Sequence, residues 1–349
     1  MTNRFGTTVL FCLLALSACG PDELSPQERA QLAGMEADEN FRPPPSPTNA
    51  VAEDADAAAL GRRIFFDRRM SADGRVACAS CHRMDEGLSD DRQFSVGVFG
   101  REGGRHSLPA HSLALQRFFF WDGRADSAWS QPLQAIEASP EMDFSRAEVA
   151  HFIAANYADE YTAVFGPLPD LSGVPVRAKP GDDAWDALSA GTQEDVERVF
   201  SNVGKSLEAF ERNLTCSETR FDRWNRGEAT LSEREERGAA AFVREGCNNC
   251  HAGPGFSDGR FHNLGLEPAG SDDTGRQQGL DALFEDRFNG VGVYSDDTDA
   301  GAEKLLIAME EERSLGAFRT PTLRGVTQRR SWTHRGVGGS LPEFLRRTY

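Results

Sequence analysis

Lysine is nearly absent: among 349 residues it stands only at positions 179, 205 and 304. No lysine-rich face is therefore available for docking an acidic redox protein. Acidic residues number 55 against 38 Lys and Arg, a formal charge of −17, which excludes a nucleic-acid partner. Beyond the N-terminus no apolar run approaches the ~18 residues needed to cross a membrane. Methionine is sparse and stops at Met309. What is present is an ordinary globular mixture, 39% hydrophobic and 27% charged, which excludes disorder of the whole chain. The length suits about two domains of ~150 residues. Cysteine is scarce but patterned, with seven in all.

The first two cysteines belong to the N-terminus. Residues 1–19 read as an export signal, with Arg4 as the positive flank, Val9 to Leu16 as the apolar core and Leu16-Ser17-Ala18-Cys19 behind it. The box resembles that of a bacterial lipoprotein, in which Cys19 would be lipidated. Gly20 in place of Asp does not indicate retention at the inner membrane, so a periplasmic protein anchored by lipid to the outer membrane is expected. An ordinary cleaved secretory signal is the alternative. Residues 20–50, with Pro43-Pro44-Pro45-Ser46-Pro47, read as a flexible tether.

Four more cysteines fall into Cys78-Ala79-Ser80-Cys81-His82 and Cys247-Asn248-Asn249-Cys250-His251. Both have the form C-x-x-C-H, the attachment signal for haem c. Two thiols three residues apart can add to the two vinyl groups of a porphyrin, and the adjacent His then reaches the iron from one face. A zinc site would need its second ligand pair some 12–20 residues away, whereas these two pairs lie 169 residues apart. Two covalently bound haem c groups are expected.

The surroundings of the motifs repeat as well. Gly87-Leu88-Ser89-Asp90 follows the first and Gly255-Phe256-Ser257-Asp258 the second. Farther on, Gln116-Arg117 leads to Trp121-Asp122-Gly123, and Gln328-Arg329 leads to Trp332-Thr333-His334-Arg335-Gly336. Internal duplication accounts for this. Val196, Val203, Leu207 and Phe210 share a helical face, and no alternating strand run is convincing. The expected fold is mainly α, with two cytochrome c-like haem domains over 51–191 and 192–349. Ser340-x-x-Glu343 is a capping box that opens a short final helix.

Leu60-Gly61-Arg62-Arg63-Ile64-Phe65-Phe66-Asp67, Ser71-Ala72-Asp73-Gly74, Phe120-Trp121-Asp122-Gly123-Arg124-Ala125, Glu141-Met142 and Thr320-Pro321-Thr322-Leu323-Arg324 accompany the haem motifs. In this order the chain resembles the bacterial dihaem cytochrome c peroxidases, a family that includes MauG. The resemblance implies an N-terminal haem that reacts with hydrogen peroxide and a C-terminal haem that handles electrons. It makes His82 and His251 the iron ligands, Trp121 the bridge between haems, and Gln131 and Glu141 the polar groups of the peroxide pocket, with Glu141 as acid and base. A Ca²⁺ ion between the lobes is implied too, on the carbonyls of Arg329 and Ser331, although His106 stands where the family has a calcium-binding Asn.

Two departures from the family pattern are informative. Where ordinary members carry a His that blocks the first iron, this chain has Val98, which cannot bind iron; His106 and His111 are the nearby substitutes. The family's sixth ligand of the second haem, a Met in peroxidases and a Tyr in MauG, maps to the chain end, where Tyr349 is the candidate and Tyr294 the runner-up. A phenolate favours higher iron oxidation states. The reading that follows is a periplasmic oxidoreductase of the MauG-like branch, acting on hydrogen peroxide and on an unidentified electron donor or oxidised target protein. The alternatives are a conventional peroxidase served by a cytochrome c or cupredoxin, a plain electron-transfer cytochrome, and a haem-based sensor. Cys216, the remaining thiol, is expected to be buried and inert.

Overall fold

The computed structural model describes residues 24–37, 43–215, 218–266, 270, 272–310 and 315–348. Cys19, Cys216 and Tyr349 lie outside them, as does the whole export-signal segment.

The described chain is mainly α-helical. Its first part holds α1 (Pro26–Ala33), α2 (Ala55–Phe66), α3 (Cys78–Cys81), α4 (Gln131–Glu137), α5 (Arg146–Asn156), α6 (Ala158–Phe165), α7 (Asp183–Asp186) and α8 (Ala190–Glu211). Then follow α9 (Arg220–Asn225), α10 (Glu233–Arg244), α11 (Arg276–Glu285), α12 (Thr298–Glu310) and α13 (Leu341–Thr348). Strands among the described residues are two-residue pieces: Phe261–His262 pairs antiparallel with Phe318–Arg319, and Ser331–Trp332 with Val337–Gly338. No helix among the described residues is long and apolar enough to cross a membrane.

The expected apolar face of α8 exists, but it faces the first haem motif's lobe. Val196, Val199, Phe200, Val203 and Leu207 pack with Leu60, Ile64 and Phe65 of α2 in the main core. The two helices touch so closely that a Cβ on Gly61 would fall 1.8 Å from the Ser206 carbonyl oxygen, so only glycine permits the crossing. A domain boundary at 191/192 therefore cuts between the first lobe and a helix built into its core. Sequence pattern identified the face but not its partner.

The stretch read as a tether is also packed where it is described. Ser25 and Glu28 form a capping box at the start of α1, and Leu32 and Met35 are buried against Trp224. Two apolar side chains three residues apart suffice to dock a short helix once a pocket exists. Downstream, the Asn49 amide donates to the Lys205 carbonyl at 3.1 Å and to a Glu208 carboxylate oxygen at 2.9 Å. The C-terminal lobe is held by the buried Asp222–Arg324 pair at 3.0 Å, to which the Ala37 amide and the Met35 carbonyl also attach. The final helix opens as expected, with the Ser340 amide donating to Glu343 at 2.9 Å, and Phe344 stacks on Trp332 while Leu345 stays exposed.

Candidate active site

The α3 turn presents the first motif to a cavity. Ser80 Oγ accepts from the Ala77 amide at 3.0 Å and the His82 amide closes on the Cys78 carbonyl at 2.9 Å, which sets both thiols and the imidazole on one short turn. The cavity measures about 480 Å³, within the range of cofactor sites. Cys78, Cys81 and His82 line it, and so do Trp121, Gln131 and Glu141. These six residues span 64 positions of sequence, and the fold gathers them around one space.

His82 Nδ1 lies 3.1 Å from the Leu88 carbonyl oxygen. A carbonyl can only accept, so Nδ1 carries the proton and the lone pair is on Nε2, the tautomer an iron ligand requires. Leu88 reaches this position with φ of 56°, a left-handed conformation unusual for a branched residue. Burial lowers the His82 pKa and keeps the ring neutral. The thiols are unpaired, and burial pushes Cys81 up to about 11. Neutral ring, unpaired thiols and adjoining cavity together fit a haem c, for which Cys78, Cys81 and His82 would be the holding groups.

The second motif repeats this geometry. His251 Nδ1 lies 3.0 Å from the Phe256 carbonyl, and Phe256 has φ of 47°. Ser89 Oγ donates to the Ser107 carbonyl at 2.7 Å, and Ser257 Oγ donates to the Thr320 carbonyl at 2.6 Å. The His106 amide donates to His334 O at 2.9 Å, as the Arg319 amide donates to Trp121 O at 2.8 Å. Each lobe thus bonds the other reciprocally. Phe120 and Thr333, both with φ of 65°, fall at equivalent places, so Trp121 corresponds to His334, not to Trp332. The Trp121 and His334 rings meet edge to face at 6.2 Å. Cys247, Cys250 and His251 stand half-buried, and the nearby cavity of about 90 Å³ is lined by Gly253, Gly255, Ser257 and Arg319 among others. The same fit to haem c holds for ligand and thiols, in a more open setting.

Trp121 is buried, and its indole N–H donates to the His106 carbonyl at 2.8 Å. Asp122, next to it, accepts from Arg105 at 2.6 Å and from Arg124 at 3.1 Å, and those guanidiniums hold its carboxyl below the ordinary range against the opposing effect of burial. Arg105 also reaches Asp273, tying the two halves across the Trp. Glu141 has its pKa raised by burial, with Arg124 opposing, which favours a carboxyl that retains its proton.

Val98 is fully buried in the main core and does not line the cavity; its amide donates to the Glu141 carbonyl at 2.9 Å. His106 does line it, yet Nδ1 meets the Arg92 carbonyl at 3.0 Å and Nε2 meets Ser89 Oγ at 3.4 Å. Nδ1 therefore carries the proton, and because Ser89 gives its one hydroxyl proton to the Ser107 carbonyl, Nε2 keeps its lone pair. His111 is buried, outside the lining, with its pKa lowered to about 4 by burial and by the nearby charges of Arg329 and Arg324. Tyr294 stacks on Phe288 and donates to Glu197 at 2.8 Å, which accounts for it as core.

The calcium ligands expected at Arg329 and Ser331 are main-chain carbonyls, whereas the place of the family's Asn is taken by His106. A hard cation needs several oxygen ligands. At His106 the structure offers an imidazole already bonded to Arg92 and a position under the positive field of Arg329. Arg329 spends its guanidinium on the Thr322 carbonyl, and Ser331 Oγ donates to the Asp91 carbonyl. Among the described residues the single cluster of three ligand types is Cys250, Asp258 and His262, which shares a haem thiol.

Two residues of this region escaped sequence reasoning. Arg319, 3% exposed, lines both cavities, and burial lowers its pKa to about 10. Its Nε donates to the Phe120 carbonyl, and no carboxylate among the described residues forms an ion pair with it. Glu211 at the end of α8 lines the first cavity. Only its helix face could have hinted at this, since Glu211 follows Val203 and Leu207 at spacings of four.

Comparison with known proteins gives these motifs a context. The chain is 30% identical over 339 residues to the methylamine utilization protein MauG of Methylorubrum extorquens, covering 95% of this chain and 80% of that one. It is 30% identical over 300 residues to the cytochrome-c peroxidase IdrP1 of Denitromonas iodatirespirans, covering 83% and 72%. The diheme peroxidase BthA of Burkholderia thailandensis superimposes with a TM-score of 0.64 at 21% identity over 86% of this chain and 73% of that one. With the di-haem cytochrome c peroxidase family model matching residues 55–230 as well, the chain belongs to that family and is a dihaem peroxidase-type oxidoreductase.

Proposed function

We propose that the protein is the MauG-like kind of peroxide-using enzyme, in which the N-terminal haem meets hydrogen peroxide without prior activation and the C-terminal haem stores or relays an oxidising equivalent. One observation carries this. The residue at the blocking position, Val98, is packed in the core, outside the cavity lining, and has no lone pair to offer iron.

Haem held by Cys78, Cys81 and His82 would supply the redox chemistry of peroxide cleavage. The chain's own residues bind and orient the oxidant: Gln131 offers an amide, and Glu141 holds a proton that can move between the two peroxide oxygens. Trp121, in contact with His334 and bonded into both halves, is the path between the haems. The second haem would be held by Cys247, Cys250 and His251, with Tyr349 as its sixth ligand. Periplasmic location and lipidation at Cys19 complete the reading, and the oxidised target or donor is a protein. A duplicated haem domain is supported by the reciprocal bonds of His106 with His334 and Arg319 with Trp121.

The test is stopped-flow spectroscopy of the fully ferric protein with stoichiometric hydrogen peroxide, reading both haems. Reaction without prior reduction is expected. If reaction appears only after one-electron reduction, the gated peroxidase with a cytochrome c or cupredoxin donor replaces this reading.

A further inference from the structure

Besides Glu141 and the arginine-paired Asp122, the first cavity is lined by a third carboxyl group, to which no role has been given. Glu211 is 5% exposed, and its Oε2 has no hydrogen-bond partner. An unpartnered carboxylate in such a place costs several kcal/mol, whereas a carboxylic acid costs far less. One helical turn back on the same face lies Glu208, 2% exposed, which accepts from the Asn49 amide at 2.9 Å and from the Ser46 hydroxyl. Ser46 is half-buried beside the exposed Pro45 and Pro47, where the chain meets solvent. Glu211 thus faces the cavity, Glu208 stands one turn back on the same helix, and Ser46 joins Glu208 at a point where the chain meets solvent.

We propose that Glu211 and Glu208 form a proton relay that connects the N-terminal haem cavity to solvent at Ser46, separate from Glu141. The proposal rests on the peroxide reading above. Reduction of one hydrogen peroxide to two waters consumes two protons and two electrons, the electrons coming from the donor that a peroxidase uses. Glu141 passes peroxide's own proton to the oxygen that departs as water, so the two consumed protons enter through Glu211. For each, the Glu211 O–H bond breaks and the proton goes to the oxygen that remains, as the donor's electrons reduce it to the second water. The carboxylate left behind is reprotonated by a proton that enters at Ser46 and passes through Glu208.

The surroundings suit this cycle. Burial together with the charge of Glu208 raises Glu211 to about 8, so the acid and its conjugate base are both accessible near neutrality. From α3, Cys78 feels the Glu211 charge, which places the carboxyl near the haem-attaching turn. His82, Glu141, Arg105 and Arg124 line the same cavity. Arg212, next on the helix, is occupied by the Pro44 carbonyl and Glu53. The charged residues of α2, Asp56, Arg62 and Arg63, are exposed.

The experiment uses the dihaem protein and reads it first without peroxide. The ferric spectrum of the N-terminal haem should show a transition centred near pH 8 that Glu211→Gln abolishes. Glu208→Gln should move it to lower pH, since removing the neighbouring negative charge makes Glu211 easier to ionise; a merely structural role would give no such directed shift. With peroxide added, the wild-type rate should fall above that pH, and Glu211→Gln should give a lower, flat profile. Full haem content in both variants guards against misfolding. A transition that persists in Glu211→Gln, or fails to move in Glu208→Gln, overturns the relay. Because the titration needs no peroxide, a protein that titrates as described yet ignores peroxide overturns the peroxide reading, while one that reacts with peroxide but keeps the transition in Glu211→Gln overturns the relay alone.

Discussion

Cys78 to His82 and Cys247 to His251 carry the same ligand signature, yet one opens on a cavity of about 480 Å³ containing Gln131, Glu141 and Glu211, and the other lies beside one of about 90 Å³ whose lining has no carboxylate. Their ligands are oriented identically, by Nδ1 bonds of 3.1 Å and 3.0 Å to left-handed residues. What separates them is therefore space and protons. A haem that must accept peroxide needs room on the side away from its His and a group that can give a proton there; a haem that only passes electrons needs neither.

The largest effect that could break this comparison is loss of a haem. Replacing Cys78 and Cys81 by Ala should remove one haem and the peroxide response with it. Replacing Cys247 and Cys250 should remove the other while the first haem still reacts, as haem content per chain and stopped-flow traces would show. Glu141→Gln should slow the peroxide step by roughly 10²–10⁴-fold, the effect of losing a general acid and base. A loss below threefold would take Glu141 out of the proton chemistry.

Smaller effects sharpen the contrast. Asp222→Ala leaves the buried Arg324 guanidinium without its carboxylate and should destabilise the C-terminal side by about 3–5 kcal/mol, measured by denaturant unfolding. Removing Tyr349 should change the resting spectrum of the second haem alone, and an unchanged spectrum would discard the phenolate. The smallest effect is a pH slope. The folded Glu211 pKa of about 8 exceeds the ordinary 4.5, so the native state holds the extra proton. Its contribution to stability is full below pH 4.5 and is lost as pH rises through about 8. Unfolding midpoints across that window should fall less steeply in Glu211→Gln.

Much of the site was legible because the haem c signature is a fixed local spacing. C-x-x-C-H names thiols and ligand without reference to the fold, and Trp121, Gln131 and Glu141 followed from family motifs. Val98 was equally legible, since a side chain without a lone pair cannot bind iron wherever it sits. Less could be read of packing. Leu32 and Met35 fall in the stretch read as a tether, because nothing local says that Trp224 waits for them.

The sequence by itself determined a mainly helical chain with two C-x-x-C-H motifs, since helical periodicity, capping boxes and the motif spacing act over a few residues. Only the tertiary structure decided the rest. It put α8 into the first lobe, matched Trp121 with His334, set Arg319 between the cavities and turned Glu211 into one of them. Each of those outcomes depends on which surfaces meet across a hundred residues or more, and burial, which sets the proton affinity of a carboxyl, does not exist until they do.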